Sequence, residues 1–301
     1  MLSLRDLKRR IKSVAGIRQI TRAMEMVSAT KLRRAQQRIE SARPYTDKMD
    51  EMVGHLAQAV SPEMERHPLM IPHEQVKRLM IVAIASDKGL CGSFNANVIR
   101  MVIASAEEAE RNGMEVSLYL IGKKLHDFFK RRRWRVWEES REFMRIDQQL
   151  PIDLLKKMTD HFILAFESGT VDRVDMIYTE FHSAISHKVV LRQFIPIEGL
   201  TPRAEEEEEE RHEVSREYIF EPDPEELFSL LIPKYATIVV FRMLAESIAS
   251  EHGGRMTAMR NATDNAGDMI KSLTLQRNKA RQAAITKELS EIVAGAEALR
   301  G

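Results

Sequence analysis

The sequence predicts an α/β protein. Two long terminal helices form an antiparallel coiled coil, and a domain with a largely parallel sheet is inserted between them. Three observations predict this. The last third carries apolar residues at heptad spacing with almost no break. The first sixty residues carry a second helical pattern rich in Lys and Arg. Between them, short continuous apolar runs alternate with amphipathic stretches, as buried strands alternate with helices in a layered α/β domain.

The C-terminal element sets the scale. From Met256 a 3,4,3,4 spacing selects Met256, Met259, Thr263, Ala266, Ile270, Leu273, Arg277, Ala280 and Ala284. The pattern then slips by one to Ile285, Leu289, Ile292, Ala296 and Leu299. A helix from Glu226 to Arg300 would be roughly 110 Å long at about 1.5 Å per residue. A compact chain of this size has a radius of gyration near roughly 19 Å. The sequence therefore predicts a helix that projects and needs a partner.

The N-terminal segment is the nearest candidate. Ser3 and Asp6 have the spacing of a capping box. Leu4, Leu7, Ile11, Val14, Ile17, Ile20, Met24 and Val27 then recur as an apolar stripe. The step from Val14 to Ile17 breaks a strict heptad, so the seam is expected to drift there. The helix is expected to continue past Pro44 to about Ala59, roughly 80 Å. If both helices leave the central domain on one side they run antiparallel. The C-terminal one then overhangs by roughly 30 Å, from Arg281 to Gly301.

The prolines at 62, 68 and 72 mark a break, after which the periodicity changes. Strands are expected at 79–85, 116–121, 174–178 and 188–194, with a last edge strand at 217–220. Helices are expected at 97–111, 123–132 and 152–167. The resulting organisation is a coiled-coil helix over 1–60, a Rossmann-like α/β domain over 74–220 and a second coiled-coil helix over 224–301.

Net charge is only +1, but it is unevenly distributed. Residues 1–43 carry twelve Lys or Arg against three acids, and residues 205–226 carry twelve acids against two Arg. Such polarity suits oriented partners. The single cysteine, Cys91, excludes a disulfide within the chain and suits a reducing compartment. Arg5, Lys8, Arg9, Arg10 and Lys12 interrupt any apolar core of a secretion signal. No stretch approaches the 18 or so apolar residues that span a bilayer.

The motifs that could carry chemistry are few. Ser86-Asp-Lys-Gly-Leu-Cys-Gly-Ser93 lies between a strand and a helix, but matches neither G-x-G-x-x-G nor the P-loop pattern. A tight turn accounts for Gly89 and Gly92. His67, His73, His182 and His187 lack metal-ligand spacing, and His252 reads as a helix surface residue. Cys91 reads as a small packing residue. The basic first helix lacks the aromatics that stack on nucleic acid, and its apolar stripe asks for a helix. Glu205 to Glu210 reads as a solvated acidic loop. Arg131, Arg132, Arg133 and Arg135 with Trp134 and Trp137 read as a helix end whose rings pack down. No catalytic, cofactor or metal constellation emerges. From these features alone a coiled-coil scaffold, or an enzyme built on the Gly89/Gly92 turn, remains open.

Three segments narrow the choice: Ile17-Arg-Gln-Ile-Thr-Arg-Ala-Met-Glu-Met-Val-Ser-Ala-Thr-Lys-Leu-Arg-Arg34, Ser86-Asp-Lys-Gly-Leu-Cys-Gly-Ser-Phe-Asn95, and Ala249-Ser-Glu-His-Gly-Gly-Arg-Met-Thr-Ala-Met-Arg-Asn-Ala-Thr-Asp-Asn-Ala266 continuing through residues 278–293. In these segments, and in their order, the chain resembles the gamma subunits of F-type ATP synthases over essentially its whole length. The resemblance implies a rotor shaft that couples ion flow through a c-ring to conformational change in catalytic beta subunits, with no catalytic site of its own. It implies three alpha and three beta subunits, epsilon and the c-ring as partners, and no nucleic acid. It implies a peripheral position on the cytoplasmic face of the bacterial plasma membrane.

Carried over by position, Met24 and Arg255 would lie near a lever loop of beta. Arg281, Gln282, Thr286 and Glu288 would touch a catch loop of beta. Leu289, Ile292, Val293 and Leu299 would form an apolar bearing tip. The chain departs from the family pattern at Gln276-Arg277, where an aromatic is usual, and in its acidic run. Arg277 is expected to pair with an acid on the first helix or to extend outward. With Cys91 alone, thiol switching of the plant type is not expected.

Overall fold

The computed structural model describes residues 3–59, 67–146, 148–184, 186–197 and 224–298. The acidic run 205–210, the strand expected at 217–220 and Leu299 lie outside them. Backbone contacts divide the chain into two compact units. One contains Met1–Thr30 and Arg255–Gly301, and the other contains Lys31–Gly254. Helix α1 (Leu4–Ala59) and helix α5 (Pro224–Ala298) each contribute to both units.

The first unit is an antiparallel helix pair. Ser3 caps α1 as its sequence predicts: Asp6 donates its backbone N–H to Ser3 Oγ at 3.1 Å, and Ser3 Oγ donates to the Asp6 carboxylate at 2.7 Å. Facing residues fix the register. Thr21 meets Thr263, Glu25 pairs with Arg260, and Arg18 covers Gly267. On α5 the predicted seam holds, since Met256, Met259, Thr263, Ala266, Ile270, Leu273, Arg277, Ala280 and Ala284 are all buried or half-buried. Arg277 bonds Asn278 at 3.2 Å, on its own helix.

On α1 the expected drift does not occur. A strict heptad continues from Leu4, Leu7, Ile11 and Val14 onto Arg18, Thr21, Glu25 and Ser28. Ile17, Ile20 and Val27 are left 51%, 61% and 57% exposed. The reason is geometric. A residue one place off the seam is turned about 100° round the helix, and two paired helices keep their 3.5-residue period even where it selects polar side chains.

The second unit is layered. Strands β1 (Arg78–Ile84), β2 (Glu115–Ile121), β3 (Arg135–Val136), β4 (Arg173–Phe181) and β5 (His187–Ile195) form one sheet in the order β3-β2-β1-β4-β5. All neighbours are parallel except β4 and β5. Those two strands are joined by too short a connection for a parallel crossover. Both faces of β1 are covered, which is why it reads as an unbroken apolar run.

Leu79, Ile81 and Ala83 of β1 and Leu118 and Leu120 of β2 pack with Val98, Val102 and Ala106 of α2 (Phe94–Arg111), and with Leu125 and Phe129 of α3 (Lys123–Phe129). Tyr119 points to the opposite face and meets Phe162 of α4 (Ile152–Glu167) edge-on, with ring centroids 4.9 Å apart. Helix α3 stops at Phe129, earlier than expected. Trp134 and Trp137 flank the short strand β3, not a helix end, and their indole N–H groups donate to Glu110 and to Ser117 Oγ. Gly122 is obligatory at the turn into α3, because its φ is +97° and a Cβ there would lie 2.1 Å from the Ala85 carbonyl oxygen.

Candidate functional site

Two regions stand out: the free part of the helix pair and the place where the α/β unit grips α5. In the pair, the numbers of facing residues add to 284 or 285, so the register puts Leu4 about level with Arg281. From Arg281 to Gly295 every residue of α5 is exposed except Ala284, which is half-buried. The side chains of Arg281, Gln282, Thr286, Glu288, Leu289, Ile292 and Val293 are all open. Ile285, Leu289, Ile292 and Val293 expose 45%, 57%, 68% and 59% of their surface. Four bulky apolar groups on a lone, highly charged helix face have no cover among the described residues.

Met24 is half-buried and Arg255 is buried. The register sets Met24 level with Arg260, more than a turn of α5 away from Arg255. Its neighbour Glu25 holds Arg260 at 2.9 Å.

The grip on α5 is built from three segments. The Ser86–Ser93 turn is closed by Asn95 of α2. Asn95 Oδ1 accepts the Ser86 backbone N–H at 3.1 Å, and Asn95 Nδ2 donates to Cys91 Sγ at 3.2 Å. Asp87 accepts the Lys123 backbone N–H at 3.1 Å and so caps α3. The same turn sits on α5. A Cβ on Gly254 would come within 3.0 Å of the Cys91 carbonyl oxygen, and one on Gly253 within 3.0 Å of that of Ala184. Two of the motifs that stood out in the sequence thus meet in space. His252, expected on the surface, is buried here at 2% exposure, with Nε2 3.3 Å from Gln148 Oε1. The heptad pattern that reads Met256 onward carries no information about this turn of α5, which faces a sheet and not a helix.

Elsewhere, Asp172 anchors the start of the sheet. Burial alone would push its carboxyl up. The Arg78 guanidinium at 2.7 Å, the backbone N–H groups of Arg78 and Lys77, and His73 overcome that and hold it well below the usual carboxylate range. Burial pushes the Glu246 carboxyl up, against the opposing pull of Arg242. Among the described residues there is no group of three or more His, Cys, Asp or Glu able to hold a metal ion, and no helix long and apolar enough to cross a membrane.

Comparison with known proteins agrees with this geometry. The sequence model of the ATP synthase family matches residues 3–299. The chain is 43% identical over 300 residues, all of both chains, to the ATP synthase gamma chain of Moorella thermoacetica. It is 44% identical over 305 residues, again all of both chains, to that of an Anaeromyxobacter species. Among solved structures it resembles a chain of the Tetrahymena thermophila mitochondrial ATP synthase central stalk and c-ring, with TM-score 0.55, 25% identity, and coverage of 81% of this chain and 99% of that one. A chain from the Euglena gracilis mitochondrial enzyme shares the fold at TM-score 0.60 and 18% identity, covering 98% of this chain and 94% of that one.

Proposed function

The chain belongs to the gamma-chain family of ATP synthases, and from that premise we propose that it is the central rotor shaft of an F-type complex, coupling ion flow to conformational change in catalytic subunits while carrying no catalytic site itself. Its partners in this reading are three alpha and three beta subunits around the helix pair, with epsilon and a c-ring at the α/β domain. The complex would sit on the cytoplasmic face of a bacterial plasma membrane, with this chain peripheral to the bilayer.

The single observation that carries the reading is the bare tip of α5, where apolar and charged side chains alternate without cover. We assign Met24 and Arg255 to the lever loop of beta, and Arg281, Gln282, Thr286 and Glu288 to its catch loop. Leu289, Ile292, Val293 and Leu299 form the apolar bearing.

Magnitudes favour a contact that touches and does not hold. Ile17, Ile20 and Val27 keep 51%, 61% and 57% of their surface exposed, so covering the remainder would contribute about half of the roughly 1.5–3 kcal/mol that full burial gives each. Association itself costs at least about 4 kcal/mol, and often far more, in lost freedom. Such a stripe leaves little net binding, so the shaft is not trapped in one orientation. Rotation of the ring's states then depends on differences in contact energy between them.

The test is truncation after Ala280 in a complex reconstituted with alpha and beta subunits. Full-length chain is expected to support ATP-driven rotation of a bead on the α/β domain, and the truncated chain to assemble less well and stall under load. Full-rate ATP synthesis by the truncated chain would remove the tip's role. Failure of the full-length chain to assemble with the ring would remove the rotor reading.

A further inference from the structure

The sheet is left incomplete beside α5, and α5 completes it. Strands β1 and β4 pair only as far as Ala83 and Ile177, yet β4 runs on to Phe181. Backbone groups on that side would be buried without partners, which is costly. Helix α5 supplies them. The Thr179 backbone N–H donates to Ser247 Oγ at 3.1 Å, and Ser250 Oγ donates to the Thr179 carbonyl at 3.3 Å. Two residues on, the Phe181 backbone N–H bonds the Glu246 carboxylate. One turn further along α5, the carbonyls of Ala184 and Cys91 close on Gly253 and Gly254. Over about two turns the helix takes the place of a strand.

The second long helix is tied in through one residue. Gln148 Oε1 lies 3.3 Å from Lys31 Nζ on α1 and 3.3 Å from His252 Nε2 on α5. The Gln148 carbonyl also accepts from Arg38 of α1. All of these groups belong to the unit Lys31–Gly254.

We propose that this collar is where torque passes between the sheet and the portions of α1 and α5 that belong to the same unit, with Ser247 and Ser250 locking α5 to Thr179 and Gln148 making α1 turn with it. The proposal rests on the rotor reading above. The physical reason lies in the kind of contact. Apolar packing is non-directional and resists separation more than rotation about a helix axis. Hydrogen bonds weaken steeply off their preferred angles. Several of them spaced along two turns, with backbone carbonyls against glycines, fix the angular phase of the helix. Ser247 and Ser250 act through α5, and Gln148 through α1 and α5, so all three are positioning residues.

The experiment uses the assembled complex with its alpha–beta ring immobilised and a bead on a cysteine introduced by Glu107→Cys, an exposed site on α2. Thermal fluctuation of the bead angle is recorded during catalytic pauses, where the variance is inversely proportional to torsional stiffness. With both serine bonds removed by Ser247→Ala and Ser250→Ala, the variance is expected to rise by about twofold, as the directional contacts to α5 are lost. Unloaded ATP hydrolysis is expected to stay at the parent rate. Ser250→Thr, which keeps the hydroxyl, is expected to restore a narrow distribution.

Gln148→Ala, at a half-buried turn position outside the sheet and helices, is expected to broaden the distribution with the fold retained, and carries the test alone if the double serine variant does not fold. Unchanged variance in the variants that fold would overturn the proposal. So would broadening that Ser250→Thr fails to reverse. Absence of rotation in the parent chain would count against the rotor reading and not against the collar.

Discussion

Thr21 of α1 and Thr263 of α5 face each other hydroxyl to hydroxyl, 2.8 Å apart, in the buried seam of the helix pair. Each hydroxyl also reaches a carbonyl on its own helix, Arg18 for Thr21 and Met259 for Thr263. One of the two protons therefore bridges the helices while the other stays local. A buried polar layer of this kind fixes register more than it adds stability.

Replacing both threonines with valine is accordingly expected to leave the pair as stable as before, or slightly more so, because a matched hydrogen-bonded pair contributes only about 1 kcal/mol net. Either single Thr→Val change is expected to cost up to about 1 kcal/mol. Urea denaturation of the isolated chain, followed by helical circular dichroism as a double-mutant cycle, measures the coupling. A cycle that closes to zero would show that the contact does not couple the helices.

The exposed residues Ile17, Ile20 and Val27 are expected to matter to the complex and not to the chain. Changing all three to serine should leave stability within about 0.5 kcal/mol, as is usual for surface positions. Leu7→Ala, at 2% exposure on the seam, should cost about 2 kcal/mol or more. In membranes carrying the assembled complex, the serine variant should show ATP-driven ion pumping reduced more than ATP hydrolysis. An equal loss of both would assign these residues to assembly.

The sequence was most legible where one periodicity met one kind of partner. The α5 seam from Met256 to Ala284 faces a single helix, and its heptad could be read directly. The Ser3 cap follows from local chemistry and is equally plain. On α1 the stripe through Ile17, Ile20 and Val27 misled, because apolar residues there lie beside the seam and not on it. The serines at 247 and 250 gave no signal. Their role depends on β1 ending at Ile84, which brings a strand edge against a helix far away in sequence. His252 gives no signal either, since its burial comes from Gln148, a residue far away in sequence. Strand β3 was missed because two residues are too few to show alternation.

Asp172 is expected to be the most sensitive polar residue of the α/β unit. Its carboxylate accepts from the backbone N–H groups of Lys77 and Arg78 at 2.9 and 2.8 Å, and so holds the start of β1 to the start of β4. Asp172→Asn keeps the shape but loses the charge, and should cost about 2 kcal/mol, in the range for bonds to a charged group. The sign with pH follows from its lowered pKa. The contribution is fully present above the unfolded carboxylate value of about 3.9 and disappears as pH falls through the lower folded value. Asp172→Asn should therefore flatten the acid limb of the stability curve, as measured by urea midpoints below pH 4.

Between pH 8 and pH 5.5 a different group is expected to control stability. His126 is a buried residue of α3, with Nε2 2.8 Å from the Leu120 carbonyl and 3.1 Å from that of Ser140. Burial pulls its pKa below the ordinary value. Bonds to the two carbonyls and the charge of Asp127 offset this only in part, and Arg141 adds to the lowering. A histidine whose folded pKa is depressed stabilises the fold above the unfolded value of about 6.5, and that contribution is lost as pH falls towards the folded one. His67 acts in the same direction, its burial partly offset by Glu167. Asp172 remains ionised in both states over this window and contributes no slope. Glu246 and Asp175, raised by burial, gain stability on protonation and oppose the trend at its acidic end. The urea midpoint of the parent chain should thus be lower at pH 5.5 than at pH 8. His126→Gln, which can still donate to a carbonyl without taking up a proton, should be less stable at pH 8 but lose less on acidification. An equal loss in parent and variant would place the sensitive group elsewhere.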